Sequence, residues 1–186
     1  MPGADSLWRI HVVDDVSGQL VDLMADFFDE HFPGVFGGPC DPDVFRWKLG
    51  DGNPAGRGIL ALALTEAGVI AGVMTATMKR MVVDGQTLLG AETGDTFTHP
   101  DFRRSGAAAE PSPGTELDDN LNRSVFGRLV HDVSDLLTEQ GVEVVYSTPN
   151  DQSRPGYCRR GGYEEAPGAA TRSWHCPRAP LFRSRF

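Results

Sequence analysis

The sequence has few cysteines and lacks any long apolar run. Its three cysteines, Cys40, Cys158 and Cys176, lie far apart and form no C-x-x-C pair. Neither a disulfide framework nor a metal site is therefore predicted. Residues 1–9 lack the basic and apolar segments of a signal peptide, and no stretch approaches the roughly 20 apolar residues of a spanning helix. These absences predict a protein of the reducing cytoplasm that is not bound to a membrane.

Positive charge is also scarce. Seventeen Lys and Arg stand against 26 Asp and Glu, so the net charge is −9. Long-range repulsion from such a surface disfavours nucleic acid as a partner. A cationic or amine ligand fits this balance better, although a local Arg cluster can still bind one phosphorylated ligand. We therefore expect no nucleic-acid partner.

The composition is otherwise that of one globular domain. At 186 residues, with 40% hydrophobic and 23% charged side chains, the chain is long enough to bury a core. No internal repeat divides it. Its low-complexity piece, residues 107–114 (AAAEPSPG), is typical of a surface loop. We predict a single domain over residues 1–186.

Apolar periodicity and turn residues predict an alternation of strands and helices. The predicted strands are 8–13, 59–64, 69–78, 87–98 after a turn at Asp84-Gly85, 142–146, and a final strand region around 172–176. The predicted helices are 20–28 after the candidate N-caps Asp14 and Asp15, 43–48, a long helix from Leu117 to Gly141, and 153–160. This order predicts an α/β (α+β) fold, with a mixed, mostly antiparallel central sheet and helices on both faces.

The most informative segment is 96–106, where a strand that ends at His99-Pro100 continues into an Arg- and Gly-containing loop. Such a loop ahead of a helix can direct several backbone N–H groups at a pyrophosphate, and the helix N-terminus adds a favourable dipole. Arg103 and Arg104 supply planar cations that match phosphate oxygens. The segment therefore predicts an anion site.

At these residues the sequence resembles the GNAT superfamily of N-acyltransferases, whose phosphate loop reads Arg/Gln-x-x-Gly-x-Gly/Ala. Arg103, Gly106 and Ala108 fit that loop. Further blocks match in the family's order, and together they span roughly residues 40–165. These blocks are Phe45-Arg46-Trp47-Lys48, Asn53-Pro54-Ala55-Gly56, Ile70-Ala71-Gly72, Asn150 to Tyr157, and Gly161-Gly162-Tyr163.

The resemblance implies an enzyme that transfers an acyl group from acetyl-CoA, or another acyl-CoA, to an amine. It implies that splayed fourth and fifth strands receive the pantetheine arm, with the cofactor tail along residues 146–150. The blocks look like those of members from surface-polysaccharide and secondary-metabolite pathways, which implies a small-molecule amine acceptor such as an amino sugar. The implied cofactor-binding residues are Phe97, Thr98, Arg103, Arg104, Ser105, Gly106, Ala108 and Asn150.

Acyl transfer to an amine is helped by a base that takes a proton from nitrogen and an acid that protonates the departing thiolate. Glu92 and Asp95 lie on the strand that enters the cleft, and either carboxylate is a candidate base. Tyr157 matches the position at which related enzymes place the acid. Simpler interpretations stay open, with Glu92 merely solvated on the strand, Asp95 on one face with Thr93 and Phe97, and Tyr157 serving as core packing.

The phosphate loop departs from the family pattern, because there the long helix begins directly after the second small residue. If residues 107–124 are an insertion, Gly127 replaces Ala108 as that small residue. The apolar repeat from Leu117 instead favours a helix extended at its N-terminus by about two turns. In both alignments of the phosphate loop, Arg103 and Gly106 remain cofactor-binding residues.

Three functions compete at this stage. The first is an N-acyltransferase that acts on a small-molecule amine. The second is a catalytically inactive GNAT-like module that binds a ligand or a protein, its phosphate loop being interrupted by residues 107–124. The third is a protein N-acetyltransferase, for which an open acceptor groove is expected. Binding of acetyl-CoA separates the first from the second, and a homodimer remains open in each case.

Overall fold

The computed structural model describes residues 8–13, 16, 18–103, 124–151, 153–160 and 162–164. The strands are β1 (Trp8–Val12), β2 (Ile59–Thr65), β3 (Ile70–Val83), β4 (Gln86–Thr98) and β5 (Val144–Ser147). The helices are α1 (Gln19–His31), α2 (Pro42–Leu49), α3 (Val125–Glu139) and α4 (Arg154–Arg160), and a 3-10 turn spans Pro100–Phe102. In these ranges no helix has both the length and the apolar character needed to cross a bilayer.

The strands form one sheet in the order β1-β2-β3-β4-β5. The pairs from β1 to β4 are antiparallel, and β5 is parallel to β4. Asp84 and Gly85 join β3 to β4 with φ angles of 51° and 78°, as a two-residue type I′ hairpin turn requires. The predicted turn and the predicted mixed, mostly antiparallel sheet are confirmed.

Apolar clusters cover both faces of the sheet. Successive β2 residues point to opposite faces, so Leu60 and Leu62 belong to the cluster with α1 and α2. Ile59, Ala61 and Ala63 belong to the cluster with α3. The side chains on this second face are partly alanines, which lets the helix pack near the backbone. Helices therefore cover both faces of the sheet, as the sequence predicts.

α3 packs tightly against the sheet at Gly72 of β3. A Cβ atom added to Gly72 would lie 2.5 Å from Val125 Cγ1, 3.1 Å from Leu129 Cδ1 and 3.1 Å from Phe97 O. Such contacts are tighter than ordinary van der Waals packing, so a side chain at this position forces the helix or the strand to move. Because Val125 is the first residue of α3, this contact also fixes where the helix begins relative to β4.

We expect Gly72→Ala to lower the free energy of unfolding by about 1–3 kcal/mol, because the added methyl group overpacks the interface between α3 and β3. Chemical denaturation measures this loss. Gly38→Ala is the matched control, since a Cβ atom at Gly38 meets nothing within 4 Å, and it should change stability by less than about 0.5 kcal/mol. Equal stabilities for the two variants would contradict the close packing.

The start of α1 differs from the prediction. The N-cap is Gly18, with φ −81° and ψ 180°, and the helix begins at Gln19. The expected caps Asp14 and Asp15 are therefore wrong, and both lie outside the described residues. The reason is that the strand's hydrogen bonding continues past β1, because Val13 N still donates to Leu60 O at 2.8 Å. The chain must turn before a helix can form.

The start of α3 also differs. Ser124 has an extended backbone, with φ −110° and ψ 133°, and its Oγ accepts a hydrogen bond from Gly127 N at 3.0 Å. This is N-cap geometry, so a continuous helix from Leu117 is wrong, although Leu117 itself lies outside the described residues. Because the helix begins at Val125, the structure favours the alignment of the phosphate loop in which Gly127 is its second small residue.

The C-terminal boundary of α3 is as predicted. Gly141 has φ 75° and its N–H donates to Thr138 O at 3.0 Å, which is the expected left-handed helix ending. The short helix after β5 is also confirmed, as α4. The predicted final strand region around 172–176 lies outside the described residues.

Candidate active site

β4 and β5 are paired over only part of β4. The pairing ends at Thr93, which lies opposite Ser147, and Ser147 Oγ donates to Thr93 O at 3.0 Å. β4 continues to Thr98, but in the part of the chain that the structure describes no strand pairs with residues 94–98 on this side. Backbone polar groups along this edge therefore lack a strand partner, and a ligand can pair with them, although Gly94 O and Thr98 O already accept side-chain hydrogen bonds. β4 thus extends beyond the end of β5 at Ser147, at the place where the sequence resemblance implies that the two strands splay.

β4 also contains a bulge at the point where it leaves β5. The register with β3 shifts between Val73 and Thr75, so Asp95 and Thr96 together stand opposite Met74. Asp95 has φ 43°, in the left-handed region that non-glycine residues rarely occupy. Bulges of this kind redirect side chains and interrupt pairing. The bulge thus turns Asp95 and Thr96 out of the regular strand alternation.

A cleft of about 540 Å³ lies beside this free edge. Phe97, Thr98, Arg103 and Asn150, all predicted to bind cofactor, line it. The start of α3 and part of α4 also line it, through Ser124, Val125, Phe126, Pro155 and Gly156. The remaining predicted cofactor residues lie outside the described residues: Arg104, Ser105, Gly106 and Ala108.

Arg103 is held at the wall of this cleft by its neighbours. Its Nε donates to Thr98 O at 3.0 Å, and its guanidinium carbon lies 5.4 Å from the centroid of the Phe32 ring. The N-terminus of α3, beginning at Val125, faces the same cleft. An exposed guanidinium and a helix N-terminus both favour a negatively charged group. This end of the cleft can therefore hold a phosphate.

A second pocket of about 360 Å³ adjoins the cleft. The two share Thr96, Phe97, Asn150 and Ser153 as walls. The second pocket therefore opens onto the cleft beside the bulge of β4. The structure brings together in it the three residues predicted to be catalytic, Glu92, Asp95 and Tyr157.

Tyr157 is buried, with 3% of its surface exposed. Its hydroxyl lies 2.8 Å from Thr96 Oγ1, which in turn lies 3.2 Å from Gly94 O. The threonine hydroxyl has one proton, so it can donate to Gly94 O and accept from Tyr157, or donate to Tyr157 instead. In the second arrangement the phenolic proton of Tyr157 is free to be given to a ligand. The ring of Tyr157 is fixed by edge contacts with Phe126 and Tyr163.

The Asp95 carboxylate has two donors, Thr75 and Lys48. Its Oδ2 accepts a hydrogen bond from Thr75 Oγ1 at 2.7 Å and forms an ion pair with Lys48 Nζ. The Asp95 side chain is 17% exposed and that of Lys48 is 25% exposed. The Lys48 ammonium also lies 5.2 Å from the centroid of the Phe45 ring. The Asp95 carboxylate thus links the bulge of β4 to α2.

Glu92 is the more accessible carboxylate of this pocket. Its side chain is 33% exposed, and its Oε2 lies 3.2 Å from Lys79 Nζ on β3. On β5, burial raises the pKa of the Tyr146 phenol, and the nearby Glu92 carboxylate raises it further. Glu92 thus lies between a cation and a phenol while it remains in contact with solvent. Such a carboxylate can exchange a proton with a bound ligand directly or through water.

His99 ends β4 next to this site. Its Nδ1 accepts a hydrogen bond from Asp101 N at 3.1 Å, and its ring lies edge-on to His31 with centroids 4.2 Å apart. Burial and then the charge of His31 lower the pKa of His99, against weaker opposing effects of Asp101 and Glu30. His99 therefore caps the turn in its neutral form.

This shift predicts a pH dependence of stability. The pKa of His99 is lower in the folded chain than its ordinary value of 6.5. The stability that neutral His99 contributes to the folded chain is therefore fully present at pH values above its ordinary pKa. It is lost as the pH falls toward the lower pKa of the folded chain. We expect the Tm to fall more between about pH 7.5 and about pH 5 for the native chain than for His99→Asn, whose amide oxygen can still accept from Asp101 N. Parallel profiles of Tm against pH would contradict this prediction.

Comparison with solved structures gives the fold an independent test. A predicted acetyltransferase with acetyl-CoA from Clostridium acetobutylicum is similar with a TM-score of 0.61 at 11% identity, over 87% of this chain and 93% of that chain. An aminoglycoside acetyltransferase from an uncultured soil metagenomic sample has a TM-score of 0.59 at 17% identity, over 86% of this chain and 93% of that chain. A transcriptional regulator from Bacillus halodurans has a TM-score of 0.57 at 14% identity, over 85% of this chain and 95% of that chain. No protein-family model and no curated protein matches the sequence.

This chain has the GNAT fold. The fold expected from the resemblance is therefore confirmed. A fold can carry unrelated functions, so the activity depends on the residues of the site.

Sequence reasoning missed two partners within this GNAT-fold site. One is Lys48, which lies 47 positions from its partner Asp95, and the other is Thr96, which lies 61 positions from its partner Tyr157. No local pattern signals contacts at such separations.

Cys40 also lies near the site, but burial and the charges of Asp29, Asp95 and Asp41 raise the pKa of its thiol to about 11. The neutral thiol is a poor nucleophile.

Proposed function

We propose that this chain is an acyl-CoA-dependent N-acyltransferase that transfers an acyl group, acetyl first among the candidates, to the amine of a small molecule. The observation that carries the proposal is the meeting of two cavities beyond the end of the pairing between β4 and β5. One is a cleft with an anion-favouring end, and the other holds Tyr157, Glu92 and Asp95. A thioester in the first cavity and an amine in the second would meet beside Thr96.

The described residues fit the acyl-CoA group in two respects. The free edge of residues 94–98 offers backbone N–H and C=O groups that can pair with the amides of a pantetheine arm. Arg103 and the N-terminus of α3 favour the pyrophosphate at the other end of the cleft. We infer that Arg104, Ser105 and Gly106 complete the phosphate site. The similar acetyltransferase from Clostridium acetobutylicum, described with acetyl-CoA, supports this ligand.

The bound acyl-CoA supplies an activated carbonyl, and the chain's own residues supply the proton transfers. Glu92 takes the proton from the acceptor ammonium, because it is the more accessible carboxylate, whereas Asp95 is engaged by Lys48 and Thr75. Backbone N–H groups at the bulge polarise the carbonyl oxygen. Tyr157, as general acid, gives its proton to the departing thiolate. The nitrogen–carbon bond forms as the carbon–sulfur bond breaks. The nitrogen then loses its second proton, which restores the Tyr157 phenol, while the proton on Glu92 passes to solvent, so that the amide and the free thiol leave a regenerated site.

Two measurements on the purified chain test this function. Acetyl-CoA should raise the Tm in a concentration-dependent manner, as expected for a ligand that binds only the folded state. Free thiol should then be released from acetyl-CoA in the presence of a primary amine, with the N-acetyl product identified by mass spectrometry. If no thiol is released at millimolar acetyl-CoA, the assignment as an acyltransferase fails. The resemblance makes glucosamine the amino sugar to try.

The second candidate is a GNAT-fold module that binds its ligand without catalysis. The similarity to a transcriptional regulator at 14% identity supports this candidate, because that protein has a similar fold and belongs to a different functional class. A rise in Tm with acetyl-CoA, but no thiol release with any small amine or with peptides that carry a free N-terminus or lysine, would support it. Acetylation of the peptides alone would instead support a protein N-acetyltransferase.

A further inference from the structure

The second pocket has an apolar wall that the proposed chemistry does not use. Val35 and Phe36, in the segment between α1 and α2, line this pocket and are 47% and 41% exposed. One side of the Phe36 ring is anchored in the core, since its centroid lies 5.1 Å from that of Phe28 and 5.7 Å from that of Phe45. Large apolar side chains that stay exposed inside a cavity mark a surface for an apolar ligand group.

Each carboxylate of the same pocket has a lysine partner. Asp95 is paired with Lys48 and Glu92 with Lys79. Neither carboxylate is left as a free counter-ion for a second or third ammonium of a ligand. A polycation would have to lose water at its additional charges without gaining partners, which is costly. The described walls therefore suit a ligand that carries one amine.

We propose that the acceptor is a primary monoamine with an apolar, aromatic or branched aliphatic body, and this inference rests on the proposed acyl transfer. The apolar body lies against Val35 and Phe36. The amine faces Glu92 and Tyr157, so that Glu92 takes its proton and Tyr157 protonates the thiolate. The acceptor is therefore distinct from a polyamine and from a fully hydroxylated amino sugar.

A panel of amines tests this acceptor class, with acetyl-CoA held at saturation. The panel is 2-phenylethylamine, ethylamine, glucosamine and kanamycin. We expect kcat/KM for 2-phenylethylamine to exceed that for each of the other amines by about 10- to 100-fold, because burial of the phenyl ring adds binding energy. A preference for glucosamine or kanamycin would overturn the inference while the acyltransferase function stands. Absence of acetylation of every amine would overturn both.

Variants of the apolar wall test the placement of the ligand. Phe36→Ala should lower kcat/KM for 2-phenylethylamine by about 10-fold through KM and leave ethylamine nearly unchanged. Trp47→Ala is the matched control, because Trp47 is 62% exposed and is not a wall of the pocket. If Phe36→Ala does not fold, Phe36→Leu keeps most of the core contact and should show the same selective rise in KM. Equal losses for both amines, or the same loss in Trp47→Ala, would refute the placement.

Discussion

Replacing Tyr157 with phenylalanine is expected to lower kcat for amine acetylation by about 100-fold or more. The substitution removes a phenolic proton that general acid catalysis gives to the departing thiolate, and such catalysis contributes about 10²–10⁴-fold. The ring of Tyr157 would remain packed against Phe126 and Tyr163. The Kd of acetyl-CoA should therefore change little, which steady-state kinetics together with calorimetric titration can establish.

Tyr163→Phe is the matched control for this prediction. Its hydroxyl lies 3.2 Å from Thr93 Oγ1, and it lines neither the cleft nor the second pocket. Loss of that hydroxyl should cost stability of about 1 kcal/mol, as for a typical hydrogen bond, and should leave kcat almost unchanged. If Tyr157→Phe keeps more than about a third of the native kcat, the acid must be another group.

Replacing Lys48 with methionine is expected to lower the free energy of unfolding by about 1–2 kcal/mol and kcat by about 10-fold. The change leaves the Asp95 carboxylate partly buried with Thr75 as its remaining donor, and an unpaired charge in such a place is destabilising. The expected loss of stability is smaller than for a fully buried ion pair, because both side chains keep some solvent contact. We expect the activity to fall because Lys48 helps hold the bulge. Urea denaturation and thiol-release kinetics measure the two effects.

A double-mutant cycle separates the ion pair from other roles of Lys48. Asp95→Asn keeps a side chain that tolerates the left-handed backbone of this position. The double variant should be more stable than the sum of the single losses predicts, because no charge is then left unpaired. Lys79→Met is the surface control, since Lys79 is 41% exposed, and it should change stability by less than about 1 kcal/mol. Strict additivity of the Lys48 and Asp95 substitutions would contradict the coupling.

Most of the sheet could be predicted from the sequence, because its signals are local. The Asp84-Gly85 turn needs residues that tolerate positive φ, and the apolar runs on either side supply the hairpin. The end of α3 could be read in the same way from Gly141. The start of α3 could not, because the apolar repeat from Leu117 continues the helical spacing past the N-cap at Ser124. Periodicity alone does not locate a cap.

The candidate site was predictable in part. The place of Glu92 and Asp95 on β4 and the matching block around Tyr157 predict these three residues, and the structure gathers them in one pocket. Their roles stay predictions. The partners Lys48 and Thr96 were not predictable, because each contact joins distant parts of the chain. The bulge that orients Asp95 was also missed, since it arises from a register shift between β3 and β4.

The sequence by itself determined the order and type of the main elements, the hairpin turn and the residue types available for phosphate binding and proton transfer. Those features depend on local backbone preference and on apolar spacing, which neighbouring residues encode. Tertiary structure decided where β5 stops pairing with β4, which lysine neutralises which carboxylate, and which apolar side chains face the second pocket. These depend on strand register and helix packing, which arise only when distant segments bury their apolar faces together.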